Sequence, residues 1–271
     1  MVVTTLSPGN APAASTSGAT TISTPADGLT AGEVQVPVRD GTIPAYRAMP
    51  AQGTRFPVII VVQEIFGVHE HIRDVCRRFA KLGYFAIAPE LYARQGDPST
   101  IDDINALLAS IVRKVPDTQV MSDLDATLAY ARSTGVADAS RVGITGFCWG
   151  GRIVLMYAAH NSQLRAAVAW YGPTARSYHP GDKTAIEVAG DIKAATLGLY
   201  GGADQGIPVE SVERAFAAMK AGGNQHASFH VYRDAPHAFF ADYRPHYTKD
   251  AAEDGWRRAT EWFAEHLKRG A

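Results

Sequence analysis

The chain has two cysteines in 271 residues, Cys76 and Cys148, which is too few for a disulfide framework to replace a hydrophobic core. It has no excess of either charge: Lys+Arg is 26 against Asp+Glu 27. No global field therefore points to nucleic acid or to an anionic membrane. No apolar run approaches the roughly 20 residues that a membrane-spanning helix needs. Phosphate-cradling and dinucleotide-binding glycine patterns are absent, so no cofactor is expected. His69-Glu70-His71 does not have the helical i, i+4 spacing of a zinc site and reads as a polar helix start, so no metal is expected. Residues 1–31 carry no charged side chain before Asp27 and are rich in Ser, Thr, Ala, Gly and Pro. They lack the basic and apolar regions of a secretory signal and read as a flexible tail.

The content that remains is that of an ordinary globular domain, 46% hydrophobic and 20% charged. From Glu33 onward, strand and helix patterns alternate. Short strands are expected over 33–38 and 42–49, joined by a turn at Arg39-Asp40-Gly41. Near-continuous apolar runs at 57–62, 84–89, 141–146, 166–171 and 195–200 read as strands buried on both faces, followed by one at 227–232. Helices are expected over 69–82, in two pieces between 102 and 135 broken near Pro116, and over 149–160, 208–221 and 249–268. The stretch 172–191 is weakly periodic and reads as a loop or lid. Cys76 falls on the apolar face of the first helix, with Ile72, Val75, Phe79 and Ala80, and reads as a buried, inert thiol. The expected fold class is α/β: a doubly wound, mostly parallel sheet with helices on both faces, spanning 32–271. Ligands of such sheets bind beyond the carboxyl ends of the strands.

Three features fall at those ends. Val142-Gly143-Ile144-Thr145 leads into Gly146-Phe147-Cys148-Trp149-Gly150-Gly151, a strand turning sharply into a helix with a thiol at the apex. This is the nucleophile-elbow pattern of the α/β-hydrolases with Cys in place of Ser. A helix N-terminus favours the thiolate through its positive dipole end and free N–H groups. Asp204 then follows the buried strand ending Leu199-Tyr200, and His237 follows the last strand. The order nucleophile, acid, histidine is that of the hydrolase triad. Asp234 competes for the acid role, but three residues before His237 it reads as a turn residue.

Gln63-Glu64-Ile65-Phe66-Gly67-Val68, Leu91-Tyr92-Ala93-Arg94-Gln95, the Gly-Phe-Cys-Trp-Gly-Gly elbow, Gly201-Gly202-Ala203-Asp204 and Ala235-Pro236-His237 together resemble the dienelactone hydrolase (carboxymethylenebutenolidase) family over about residues 32–268. The resemblance implies Cys148 as nucleophile, His237 as base and acid, and Asp204 as its orienter. It implies that Glu64 accepts the thiol proton as substrate binds, although pairing with Arg94 is an alternative structural role. It also implies an oxyanion hole from the N–H groups of Ile65 and Trp149, and Arg94 as holder of a substrate carboxylate. Where family members have a Ser and a second arginine after the histidine, this chain has Ala238 and Ala241, with Arg244 as a candidate replacement.

Tyr92, Tyr171, Phe239 and Phe240 are expected beside Trp149 near the pocket, about half of such strand-end aromatics being core. The implied activity is hydrolysis of an ester or lactone through a thioester, on a small molecule and in a reducing cytoplasm. The alternatives are a broad carboxylesterase acting on activated aryl esters, with phosphotriesters as a side reaction, and a binding protein on a retired hydrolase scaffold. Oligomeric state has no signature in the sequence.

Overall fold

The computed structural model describes residues 21–268. One eight-stranded sheet organises them: β1 (Leu29–Val38), β2 (Gly41–Pro50), β3 (Phe56–Val62), β4 (Phe85–Pro89), β5 (Ala137–Phe147), β6 (Ala166–Trp170), β7 (Ala195–Gly201) and β8 (Ala227–Tyr232). Their spatial order is β1-β2-β4-β3-β5-β6-β7-β8. The β1–β2 hairpin and the β2–β4 pair are antiparallel, and every other pairing is parallel. Strands β4, β6 and β7 are buried along their whole length. That is why they read as unbroken apolar runs rather than as alternating ones.

The helices are α1 (Glu70–Lys81), α2 (Ile104–Ser110), α3 (Asp117–Ser133), α4 (Trp149–His160), α5 (Ala185–Val188), α6 (Val209–Ala221) and α7 (Lys249–Phe263). Pro116 stands at the N-cap of α3, the break expected between the two pieces. Two expectations need correction and one needs refinement. The stretch 172–191 contains the short helix α5, closed by a capping box between Thr184 and Glu187. The terminal helix is helical to Lys268 as expected, but only to Phe263 as α-helix, Ala264–Lys268 continuing as π-helix. Of the tail expected over 1–31, residues 1–20 lie outside the described residues, while β1 already begins at Leu29. Upstream of it, the Thr24 N–H donates to Asp74 Oδ1 at 2.5 Å and Arg77 Nε donates to the Thr24 carbonyl at 2.7 Å. No helix among the described residues is long and apolar enough to cross a membrane.

Cys76 is fully buried and unpaired, and burial pushes its thiol well above the ordinary range. The backbone approaches itself tightly around the β5–α4 elbow. A Cβ on Gly150 would sit 2.3 Å from the Gln63 carbonyl oxygen and 2.7 Å from that of Val62. The first turn of α4 is therefore pressed against the end of β3 with no room for a side chain. Gly150→Ala is expected to lower the unfolding free energy by about 3 kcal/mol or more, because the obstacle is backbone rather than a movable side chain. A thermal melt followed by circular dichroism checks this; an unchanged midpoint would mean that the elbow can open.

Candidate active site

Cys148 lies between β5 and α4 with φ 56° and ψ −121°, a conformation that a non-glycine residue adopts only under constraint. The constraint is visible. Its N–H donates to the Trp170 carbonyl at 3.1 Å, and its own carbonyl accepts from the N–H groups of Gly151 and Arg152. Tyr171, directly after β6, also has positive φ, at 36°. Its N–H donates to the Leu199 carbonyl at 2.8 Å. Two adjacent strand ends thus hold strained residues side by side.

Asp204 and His237 meet at the ends of β7 and β8. Asp204 Oδ2 and His237 Nδ1 are 2.6 Å apart, and Asp204 Oδ1 accepts the Gly206 N–H at 2.8 Å. Both carboxylate oxygens are engaged, so the carboxylate cannot rotate away from the ring. The Gly202 and Ala203 N–H groups donate to the carbonyls of Tyr232 and Ala235, locking the two loops together. Asp204 is 8% exposed; Asp234 is exposed and turned away from this role. Burial alone would push the His237 imidazolium down. The neighbouring Cys148 sulfur and the Asp204 carboxylate outweigh it and push its pKa up to about 10. The direction favours the protonated imidazole, held on Asp204 beside Cys148.

Glu64 follows β3 and is 1% exposed. The Tyr243 hydroxyl donates to its Oε2 at 2.6 Å, and His69 Nε2 stands 3.4 Å from the same oxygen. Oε1 is buried with no protein hydrogen-bond partner. Burial pushes the carboxyl up, but the hydrogen bond and charge of His69, the charge of His71 and the Tyr243 hydroxyl bring its pKa down to about 2. Glu64 is therefore a carboxylate with one oxygen engaged by the protein and one not. The N–H groups of Ile65 and Trp149 have no carbonyl acceptor among the described residues. They lie on either side of the Gly150–Gln63 approach.

The expectations for Arg94 are not met. Its Nε and Nη2 donate to both oxygens of Asp40 at 2.7 and 2.6 Å, and its Nη1 and Nη2 to both oxygens of Asp123 at 2.7 and 3.0 Å. Two carboxylates take four of the five guanidinium N–H groups, so it neither pairs with Glu64 nor offers a free two-pronged fork. Arg244 instead lies over the Phe66 ring at 5.1 Å, with no carboxylate at ion-pair distance among the described residues. Its charge reaches Tyr171 and Tyr243.

Phe239 and Phe240 are not pocket residues as expected. They belong to the core, packed on Trp170, Tyr232, Phe147 and Trp256. Tyr171 does border the site, its ring edge-on to His237 at 5.2 Å. Tyr92 packs on Trp149 at 5.0 Å. Tyr178 and Tyr243 are two residues that the sequence did not single out. Burial before anything else holds the phenols of Tyr92, Tyr171, Tyr178 and Tyr243 protonated, with the Glu64 carboxylate next at Tyr171 and Tyr243 and the Cys148 side chain next at Tyr92 and Tyr178. The His-Glu-His segment is divided among other tasks: His69 on Glu64, Glu70 on Arg77, His71 on Asp242.

Residues 43–267 match the model of the dienelactone hydrolase family. The chain is 60% identical, over 91% of its length and 85% of the relative, to a protein of Methylorubrum extorquens described as a carboxymethylenebutenolidase. A solved structure described as a dienelactone hydrolase, from Klebsiella pneumoniae, superposes with a TM-score of 0.84 at 51% identity, covering 88% of this chain and 99% of that one. A dienelactone hydrolase-like promiscuous phosphotriesterase from metagenomic libraries shares the fold, with a TM-score of 0.74 at 20% identity, over 89% of this chain and 99% of that one. The chain belongs to the dienelactone hydrolase family.

Because the Cys148 sulfur is the strongest influence raising His237, the imidazole in Cys148→Ala is expected to titrate well below its wild-type midpoint near 10. Histidine-resolved NMR titration of both proteins checks this; coincident curves would separate the two side chains. The linked stability has a definite sign. A histidine raised above its unfolded value near 6.5 stabilises the fold fully below that pH. The contribution is lost as pH rises through about 10.

Proposed function

We propose that this family member hydrolyses small-molecule esters or lactones through a thioester on Cys148. The observation that carries the reading is the Asp204–His237 pair at 2.6 Å beside a thiol held at positive φ. As substrate enters, Glu64 Oε1 accepts the thiol proton and the sulfur attacks the carbonyl carbon. The N–H groups of Ile65 and Trp149 receive the oxyanion, a contribution worth about 10²–10³ in rate for one such donor. The His237 imidazolium gives its proton to the departing alkoxide or enolate. It next takes a proton from water, whose hydroxide attacks the thioester. The released thiolate recovers its proton from Glu64, so every proton has a donor and an acceptor on the chain. Asp204 keeps the imidazole in the productive tautomer throughout. A free thiol nucleophile is best preserved in a reducing compartment, and the enzyme is placed in the cytoplasm on that ground.

A second reading concerns the substrate. With both forks of Arg94 held by Asp40 and Asp123, a clamp for a substrate carboxylate depends on Arg244. Without it, the site suits neutral aryl esters, and phosphotriesters with a good leaving group as a side reaction.

Turnover of two variants tests both readings. Cys148→Ala is expected to abolish ester hydrolysis, and residual activity near wild type in a steady-state assay would refute the nucleophile. Arg244→Ala is expected to lower kcat/KM for dienelactone by about tenfold or more while leaving p-nitrophenyl butyrate within about twofold, as loss of one charged contact to a carboxylate would do. An equal effect on both esters would remove Arg244 from substrate recognition.

A further inference from the structure

We infer that Asp242 is a positioning residue: fastened to α1, it sets the loop after His237 so that Tyr243 occupies one oxygen of Glu64 and leaves the other for the thiol proton. The inference rests on the proton-accepting role proposed for Glu64. Asp242 lies five residues after His237 and next to Tyr243, and is 1% exposed. Its Oδ1 is 3.1 Å from His71 Nδ1, and its Oδ2 accepts from Arg78 Nη2 at 2.6 Å and from the Ile22 N–H at 3.4 Å. Arg78 is itself aimed by Asp74, whose Oδ2 accepts from Arg78 Nε at 2.5 Å. Asp74 in turn binds Arg77 at 3.1 Å and the Thr24 N–H at 2.5 Å. Three segments distant in sequence (the entry strap at 22–24, α1 and the post-histidine loop) therefore meet on two buried carboxylates.

Such a network is a poor source of stability, because desolvation consumes most of the attraction between buried ions. It is a good source of register. The loop needs one. Ala238 stands at φ 62°, and the chain beyond it makes a succession of turns, with the Ala241 N–H on the Ala238 carbonyl and the Arg244 N–H on the Ala241 carbonyl. Phe239 and Phe240 anchor its first part in the core, but turns leave later side chains free to swing. His71 closes the gap. It holds Asp242, and its ring lies 5.2 Å from that of Tyr243. Tyr243 is pressed from the other side by His69 at 5.0 Å. The Tyr243 hydroxyl then donates to Oε2 of Glu64 at 2.6 Å, with His69 Nε2 more distant at 3.5 Å, while Oε1 stays without a protein partner. A carboxylate free to rotate would present either oxygen, or neither, to the sulfur.

The test is a double-mutant cycle on Asp242→Asn and Tyr243→Phe, reading kcat, KM, the alkylation rate of Cys148 by iodoacetamide and the thermal midpoint. Each single variant is expected to lower kcat by about ten- to hundredfold with KM within about twofold, the kinetic equivalent of one hydrogen bond to a charged group. The double variant is expected to be no slower than the slower single, because both changes remove the same hydrogen bond. Additive losses, or a lowered midpoint with kcat unchanged in Asp242→Asn, would overturn the inference. If Asp242→Asn does not fold, Arg78→Lys and His71→Gln replace it, each removing or weakening one donor to Asp242. The same non-additivity with Tyr243→Phe is then expected, and additivity would again overturn the inference. Glu64→Gln separates the two levels. If it and Tyr243→Phe both leave kcat unchanged, the role of Glu64 is wrong. If both slow turnover and the Asp242 variants do not, only the positioning role fails.

Discussion

The site depends on one steric constraint, the contact between the first turn of α4 and the end of β3. Gly150 brings its backbone against the carbonyls of Val62 and Gln63, and this fixes where the helix axis points relative to the sheet. Cys148 is forced to positive φ at the turn, a conformation that costs on the order of 1–3 kcal/mol and persists only where its surroundings over-determine it. The same contact brings together the chain segments that carry Ile65 and Trp149, whose N–H groups have no carbonyl acceptor among the described residues. The parallel sheet supplies the rest of the frame, delivering Glu64, Cys148, Tyr171, Asp204 and His237 to one edge from the ends of five strands.

Two buried acid systems then flank the sulfur with different tasks. Asp204 has both oxygens engaged and serves one partner, the imidazole of His237. Glu64 is engaged at one oxygen only and is held ionised by a hydroxyl and two histidines. In the proposed mechanism this asymmetry separates the base that opens the cycle from the acid that carries it forward.

Much of this was legible in the sequence, and the failures have physical causes. Buried strands betray themselves by continuous apolar runs, and β3 through β8 fell close to where those runs lie. The meeting of Asp204 and His237 at the strand ends was readable because their order along the chain is tied to strand order. Arg94 misled because a local motif shows a guanidinium but not its acceptors. Asp40 sits in the β1–β2 turn and Asp123 in α3, both far from it in sequence. Phe239 and Phe240 misled because adjacency to a catalytic histidine says nothing about which way a loop turns, and here it turns inward. Tyr243 carries no periodic or motif signal at all; only the fold brings it to Glu64. The strap around Thr24 was hidden by a composition that resembles a tail, since its ordering comes from charges on α1 rather than from its own side chains.

The chemistry stands or falls on a thioester between Cys148 and the acyl half of the substrate. The most direct test is intact-mass and peptide mass spectrometry of the enzyme quenched with acid during turnover of p-nitrophenyl butyrate. A butyryl adduct is expected on the peptide containing Cys148, absent from Cys148→Ala and cleared when substrate is exhausted. Turnover without an adduct, or an adduct borne by Cys76 or any other residue, would contradict the thioester.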